Sequence, residues 1–165
     1  MATVELRAVR PEDVDAVRSL VARTVIETYG AFCPAVAEAA RRDPAGFISA
    51  RLTFLGGWMA RRSDGGGALG VVLTEGDLLQ ELFVAPEAQG RGVGRLLLAV
   101  AEREIFGRGH DVARLHVAEP NAGARRFYAA HGWSATAIRT PHPRWDFAMI
   151  EMRKEQTPPD RPRPG

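Results

Sequence analysis

The segment Gln89-Gly90-Arg91-Gly92-Val93-Gly94 sets three glycines, an amide and a guanidinium between two apolar runs. Leu82-Phe83-Val84 before it reads as a strand, and Arg95-Leu96-Leu97-Leu98-Ala99-Val100 after it reads as a helix. A glycine-rich turn at a helix start bares several backbone N–H groups with no Cβ in the way. The helix dipole adds partial positive charge at the same point. A phosphate or pyrophosphate is the natural guest.

Three phosphate loops compete for this segment. The nucleoside-triphosphate loop ends in a lysine followed by serine or threonine. Here Gly94 is followed by Arg95-Leu96, which excludes it. The dinucleotide fingerprint needs a third glycine three positions after the second. With Gly90 and Gly92 as the first two, that place is held by Arg95. The strand before the loop is also fourth in order, not first. The remaining pattern is Gln-x-x-Gly-x-Gly, met by Gln89, Gly92 and Gly94.

With that pattern, Leu82 to Leu97 resembles the acetyl-coenzyme A segment of the Gcn5-related N-acetyltransferases. A second stretch, Asn121-Ala122-Gly123-Ala124-Arg125-Arg126-Phe127-Tyr128-Ala129-Ala130-His131-Gly132-Trp133, is similar to that family's Asn-x-x-Ala-x-x-Phe-Tyr-x-x-x-Gly-Phe pattern. Trp133 stands where phenylalanine is commoner. The resemblance extends over nearly the whole chain up to about Lys154.

The resemblance implies acetyl-coenzyme A as co-substrate and acyl transfer to an amine. It assigns Gln89, Gly90, Arg91, Gly92, Val93, Gly94 and Arg95 to the pyrophosphate. It runs the pantetheine arm beside Leu82, Phe83 and Val84, where the sheet splays between its fourth and fifth strands. Asn121 is expected near the pantetheine amides, although it reads equally well as a helix cap. Tyr128 matches the family's general-acid tyrosine, the donor to the departing thiolate. A backbone N–H near Val84 is placed to stabilise the oxyanion.

The base that takes the amine proton has two candidates. His116, in Leu115-His116-Val117, alternates away from its two apolar neighbours, and an imidazole accepts a proton near neutral pH. Some relatives that acetylate protein N-termini carry a glutamate at the matching place. Glu81, just before Leu82, is the second candidate, acting through water. The acceptor pocket is expected from the break at Thr28 to Ala35 and the loop at Thr140 to Asp146. Tyr29 and Phe32 would form an apolar wall, and Trp145 and Asp146 would hold an amine. The acceptor is read as a small primary amine, with a protein N-terminus as the alternative. A coenzyme A-binding sensor without turnover is the reading from a different class.

The elements that must position these residues follow from periodicity. Val4, Leu6 and Ala8 alternate with polar neighbours, as a strand does. Pro11-Glu12-Asp13 starts a helix whose apolar face is Val14, Val17, Leu20 and Val21. A second helical region is expected from Ala35 to Leu55, interrupted near Pro44. Strands are expected at Trp58 to Arg62, Ala68 to Thr74 and Leu78 to Val84, the first two joined by the turn Ser63 to Gly67. After the glycine loop a helix runs to about Gly107, then a strand at Ala113 to Ala118. Asn121 to His131 is a helix stopped by Gly132. Ser134 to Arg139 and Phe147 to Arg153 complete the set. The order β-α-α-β-β-β-α-β-α-β-β predicts an α/β fold, a mixed sheet with helices on both faces.

Composition sets outer bounds. The 165 residues are 45% hydrophobic and 25% charged, an ordinary globular balance. Net charge is only +2, Lys154 is the sole lysine and the arginines are scattered, which argues against nucleic acid as a partner. The single cysteine, Cys33, excludes an intrachain disulfide and any multi-thiolate metal site. No metal is therefore expected. The chain lacks a signal pattern and a membrane-length apolar run, so a cytoplasmic protein with no membrane partner is expected. One domain is read over residues 1–154, and a disordered Pro-rich tail over 155–165. A homodimer is among the states the resemblance allows.

Overall fold

Strand β1 (Val4–Ala8) pairs antiparallel with β2 (Trp58–Arg62), which pairs with β3 (Ala68–Glu75), which pairs with β4 (Leu78–Val84). The computed structural model describes residues 3–48 and 53–158 of the chain. Beyond β4 lie β5 (Val112–Ala118), β7 (Ala148–Glu155) and β6 (Ser134–Pro141), giving a seven-stranded sheet in the order β1-β2-β3-β4-β5-β7-β6. Only the β4–β5 pair is parallel, and it holds over just two residue pairs, Leu78 with Arg114 and Leu79 with Leu115. The register with β3 slips there too: Leu73 faces Glu81 while Thr74 faces Leu79, so Gln80 is an extra residue in β4. Such a bulge bends and twists its strand. Past it, β4 and β5 part, as the sequence predicts.

The helices α1 (Val14–Tyr29), α2 (Pro34–Arg42), α3 (Pro44–Phe47), α4 (Val93–Gly107) and α5 (Ala122–Ala130) cover the sheet. A Cβ on Gly70 of β3 would meet Leu97 and Val93, so this strand carries a glycine where α4 presses closest. Gly70 pairs with Val84, which therefore shares the α4 face. Phe83 and Glu81 alternate to the other face, where Tyr29 of α1 lies. Val17, Leu20 and Val21 of α1 are buried, and so are Leu97, Leu98, Ala101 and Ile105 of α4.

Arg7 and Asp13 fix the start of α1. The Arg7 guanidinium holds both carboxylate oxygens at 2.6 and 2.7 Å, and the Arg10 N–H donates to Asp13 at 2.8 Å. These bonds hold the Asp13 carboxyl down to about 2.

The second helical region is shorter than the sequence suggests. α3 is a single turn capped by Asp43, whose side chain accepts from the Gly46 N–H at 2.9 Å. Ile48 is already extended, and Phe54 adopts a left-handed φ of 61°. Apolar residues that mimic a helical face, Ile48 and Phe54, are instead buried in the core from non-helical backbone, and Phe47 at the end of α3 packs partly buried against that core. Residues 49–52 of the expected helix lie outside the described residues.

At the C-terminus β7 reaches Glu155, and the Gln156 N–H still bonds the Asp111 carbonyl at 2.8 Å. Ordered pairing thus enters the stretch read as tail, of which residues 159–165 lie outside the described residues. Among the described residues no helix is long and apolar enough to cross a membrane.

Candidate functional site

Where β4 and β5 part they leave a cavity of about 660 Å³. Leu79 to Val84 form one wall and Leu115 to Ala118 the other. Beyond the two bridged pairs, the backbone of β4 has no sheet partner on this side. An extended ligand can take those groups as an added strand would.

One end of the cavity is the glycine loop. Gly90 and Gly92 have φ of 71° and 83°, the left-handed region that an L side chain rarely adopts. Gly92 is the cap residue of α4, so the N–H groups of Val93, Gly94 and Arg95 begin the helix without carbonyl partners. Gly94 serves a different purpose. A Cβ there would lie 3.3 Å from the Phe127 ring, so its lack of a side chain lets α5 approach α4. The Gln89 amide donates to the Val84 carbonyl at 3.2 Å and ties the loop to the end of β4.

The candidate residues at this end divide by position. Gln89, Gly90, Gly92, Gly94, Arg95 and Asn121 line the cavity. The Val93 side chain is buried in the core and leaves only its N–H to the loop. Arg91 is exposed and stands outside the lining. The Asn121 oxygen accepts from the Ala124 N–H at 3.1 Å, so the cap is real. Its amide nitrogen remains a donor.

The middle of the cavity gathers three ionisable groups from three elements. Glu81 on β4 is half-buried, and loss of water pushes its carboxyl up to about 7. Tyr29 at the end of α1 is pushed up to about 12 by burial and by the Glu81 charge. Tyr128 on α5 is raised further still, by burial first and then by Tyr29 and Glu81. Its ring packs edge-on against Phe127 and Trp133, with centroids 5.3 and 6.0 Å apart. Tyr128 therefore stays protonated across the physiological range and can only donate.

His116 also lines the cavity. It is exposed, on the face of β5 opposite buried Leu115 and Val117, and registers with Glu151 of β7. Glu151 itself is occupied by Arg153, at 2.6 Å, and Thr136.

Phe147, one residue beyond the expected loop of Thr140 to Asp146, bridges that loop to the expected break at Thr28 to Ala35. Tyr29 and Phe32 from the α1–α2 break contact Phe147 from the β6–β7 loop, with centroids 6.1 and 5.7 Å away. His142 packs on Phe147 at 4.9 Å, and its Nδ1 accepts the N–H groups of Arg144 and Trp145. Trp145 stacks on Phe47 and carries Arg144 over its ring at 5.3 Å. Trp145 and Asp146 do not line the cavity. Thr28, the first residue of the expected break, lines it from α1; sequence reasoning missed Thr24, also on α1, and His131, which lines it from the end of α5. Thr24 and Thr28 share one helix face by their i, i+4 spacing.

A sequence model of the acetyltransferase (GNAT) family matches residues 14–133, most of the chain. The chain belongs to the GNAT acetyltransferase family. A curated relative, an uncharacterized N-acetyltransferase of Archaeoglobus fulgidus, is 44% identical over 52 residues, covering 32% of this chain and 35% of the relative. The matched stretch thus spans about a third of that relative's length. A solved GCN5-related N-acetyltransferase from Rhodopseudomonas palustris is similar over 94% of this chain and 98% of its own, with a TM-score of 0.72 and 25% identity. The fold is also that of PaiA N-acetyltransferase from Thermoplasma acidophilum, solved with coenzyme A, at a TM-score of 0.69 and 20% identity over 93% and 99% of the two chains.

Trp133, where the GNAT pattern carries phenylalanine, has a physical reason here. It is 2% exposed, and its indole N–H donates to Glu102 of α4 at 2.9 Å. Lys154 of β7 holds the same carboxylate at 2.8 and 2.9 Å and donates to the His131 carbonyl at 2.9 Å. Glu102 thus locks α5, and Tyr128 with it, to α4 and β7. Among the described residues no group of three His, Cys, Asp or Glu side chains could hold a metal ion.

Proposed function

We propose that this GNAT protein transfers an acetyl group from acetyl-coenzyme A to a primary amine, by direct attack within a ternary complex. The observation that carries this reading is one cavity joining the glycine loop to Glu81 and Tyr128. The pyrophosphate sits on the first-turn N–H groups of α4, with Arg95 beside it. The pantetheine arm pairs with the free edge of β4 at Leu82, Phe83 and Val84. Asn121 donates to its amides. The thioester then lies between Glu81 and Tyr128.

The amine enters from the Thr28 and Tyr29 side as an ammonium. Glu81, with its carboxyl poised near 7, takes the proton directly or through a water. His116, exposed at the same cavity, takes that proton onward to solvent or serves as the base in its place. The neutral nitrogen attacks the thioester carbon, and a backbone N–H of β4 near Val84 meets the oxyanion. The C–N bond forms, the nitrogen gives its second proton to the base once the first has passed to solvent, the C–S bond breaks, and Tyr128 donates its hydroxyl hydrogen bond to the thiolate. With a phenol of raised pKa this is chiefly stabilisation by hydrogen bonding, with protonation completed from solvent.

The test is thiol release from acetyl-coenzyme A in the presence of amines, polyamines, amino-acid amides and peptides. Acceptor-dependent release supports the reading. Tight binding of acetyl-coenzyme A without release for any acceptor refutes it and leaves a binding module.

A further inference from the structure

The charges at the acceptor end of the cavity are lopsided. Thr24, Thr28 and Tyr29 of α1, Gln80 and Glu81 of β4 and His116 of β5 line it. Among these described residues Glu81 is the one side chain that carries negative charge, when its carboxyl is ionised. The one arginine in the lining, Arg95, lies at the other end, on the first turn of α4. Nearby arginines are committed elsewhere. Arg114, two positions from His116, holds Asp77 at 2.7 and 2.9 Å. Arg139 holds Glu119. Arg144 lies over the Trp145 ring, outside the lining.

Resting on the acetyltransferase reading, we propose that the acceptor is a primary amine with no carboxylate beside the nitrogen, and that free α-amino acids are excluded. An alkylamine and a nitrogen flanked by an amide, as at a peptide N-terminus, share this chemistry. The nitrogen must approach Glu81 to lose its proton. In a free amino acid the carboxylate is two bonds from that nitrogen and would be carried into the same desolvated corner. Two like charges there repel strongly, because little water screens them. Among the described residues no guanidinium or ammonium lines this end of the cavity to take the second carboxylate. Converting that carboxylate to an amide removes the repulsion and leaves the nitrogen and side chain unchanged.

The experiment compares matched acceptors on the full chain by thiol release: alanine with alaninamide, phenylalanine with phenylalaninamide and phenethylamine, and a tripeptide with the same first residue. The amides are expected to exceed the free acids by about 100-fold in kcat/KM, the size of one unscreened like-charge contact. The tripeptide against phenethylamine separates peptide acceptors from small amines. Thr28→Arg, placing a cation beside Glu81, is expected to narrow the amide-to-acid ratio about tenfold, with folding checked by its melting curve. Equal kcat/KM for free acid and amide overturns this inference and leaves the acetyltransferase reading standing. Thiol release with none of these acceptors, despite saturable acetyl-coenzyme A binding, overturns both. Free acids preferred in the parent chain, with the preference lost in Arg144→Ala, would show that Arg144 swings in to bind carboxylate and would overturn it as well.

Discussion

The Glu81 carboxyl on β4 and the Tyr128 phenol on α5 act on each other across the gap between β4 and β5. The Glu81 charge is one of the forces that hold the Tyr128 proton in place. The two groups thereby separate in role. A carboxyl near 7 can accept a proton at working pH, and a phenol raised by burial can only donate. Environments that push two titratable groups apart in this way divide base from acid.

Glu81 makes the first prediction one of pH. Its carboxyl rises from an ordinary 4.5 to about 7, so kcat/KM should climb through pH 7 and level above it. Glu81→Gln should remove that limb and lower the plateau about 100-fold. Stability must move the opposite way. A carboxyl whose pKa is raised by folding favours the fold below its ordinary value and loses that contribution as pH rises through 7. Glu81→Gln should therefore melt like the parent near pH 4.5 and higher than it at pH 8, by on the order of 1–2 kcal/mol. A pH-rate profile unchanged in the variant would shift the base to His116.

Tyr128→Phe keeps the ring between Phe127 and Trp133 and removes only the hydroxyl. Turnover should fall about 100-fold while acetyl-coenzyme A affinity, measured by calorimetry, stays within about twofold. A normal kcat would remove Tyr128 from the thiolate.

Much of this was legible before any coordinates. Every strand appeared within a few residues of its expected place, because period-two alternation and glycine turns mark strands locally. The glycine loop was legible through its spacing, and Tyr128 through the resemblance of Asn121 to Trp133 to the family pattern. The overlong second helix was not, because Ile48 and Phe54 are apolar at positions a helix would continue to, yet are buried from non-helical backbone. Thr24 and His131 were hidden for another reason. Their membership in the cavity depends on where α1 and α5 end up across the splayed sheet, which no local pattern encodes. Arg91 and Val93 hold variable positions of the motif and face solvent and core respectively.

Gly92 should be the most sensitive position in the loop. At φ 83° and with open space around it, a side chain meets backbone strain and no clash. Gly92→Val should cost about 1–2 kcal/mol in stability and distort the N–H groups to which the proposal assigns the pyrophosphate. The Kd for acetyl-coenzyme A should rise about tenfold or more, a loss of about 1.4 kcal/mol. Gly94→Ala should act differently, by pushing Phe127 and α5 outward, and should lower kcat more than affinity.

Asp13 links acid stability to the site through α1. Its carboxyl, held down to about 2 from 3.8 by Arg7 and the Arg10 N–H, stabilises the fold above its ordinary value. That contribution, about 2 kcal/mol, should vanish as pH falls from 4 through 2. Asp13→Ala should abolish this part of the acid transition. It should also cost about 3 kcal/mol at neutral pH, because Arg7, itself largely buried, is left unpaired.

Glu102 offers a test of how α5 is held. Its carboxylate accepts the Trp133 indole N–H and the Lys154 ammonium, and both partners are largely buried. Trp133→Phe removes one donor and leaves the Glu102–Lys154 pair intact, so about 1–2 kcal/mol should be lost. Glu102→Leu strands an ammonium and an indole N–H together, and should cost about 3 kcal/mol. The Trp133 N–H of the main chain bonds the Tyr128 carbonyl at 3.1 Å, so motion of Trp133 is transmitted to Tyr128. Loosening this contact should therefore lower kcat without changing the pH at which Glu81 titrates. Melting temperatures in the order parent, Trp133→Phe, Glu102→Leu, with a common apparent pKa in the rate profile, are the expected outcome. A displaced pKa would mean that the lock acts on Glu81 as well.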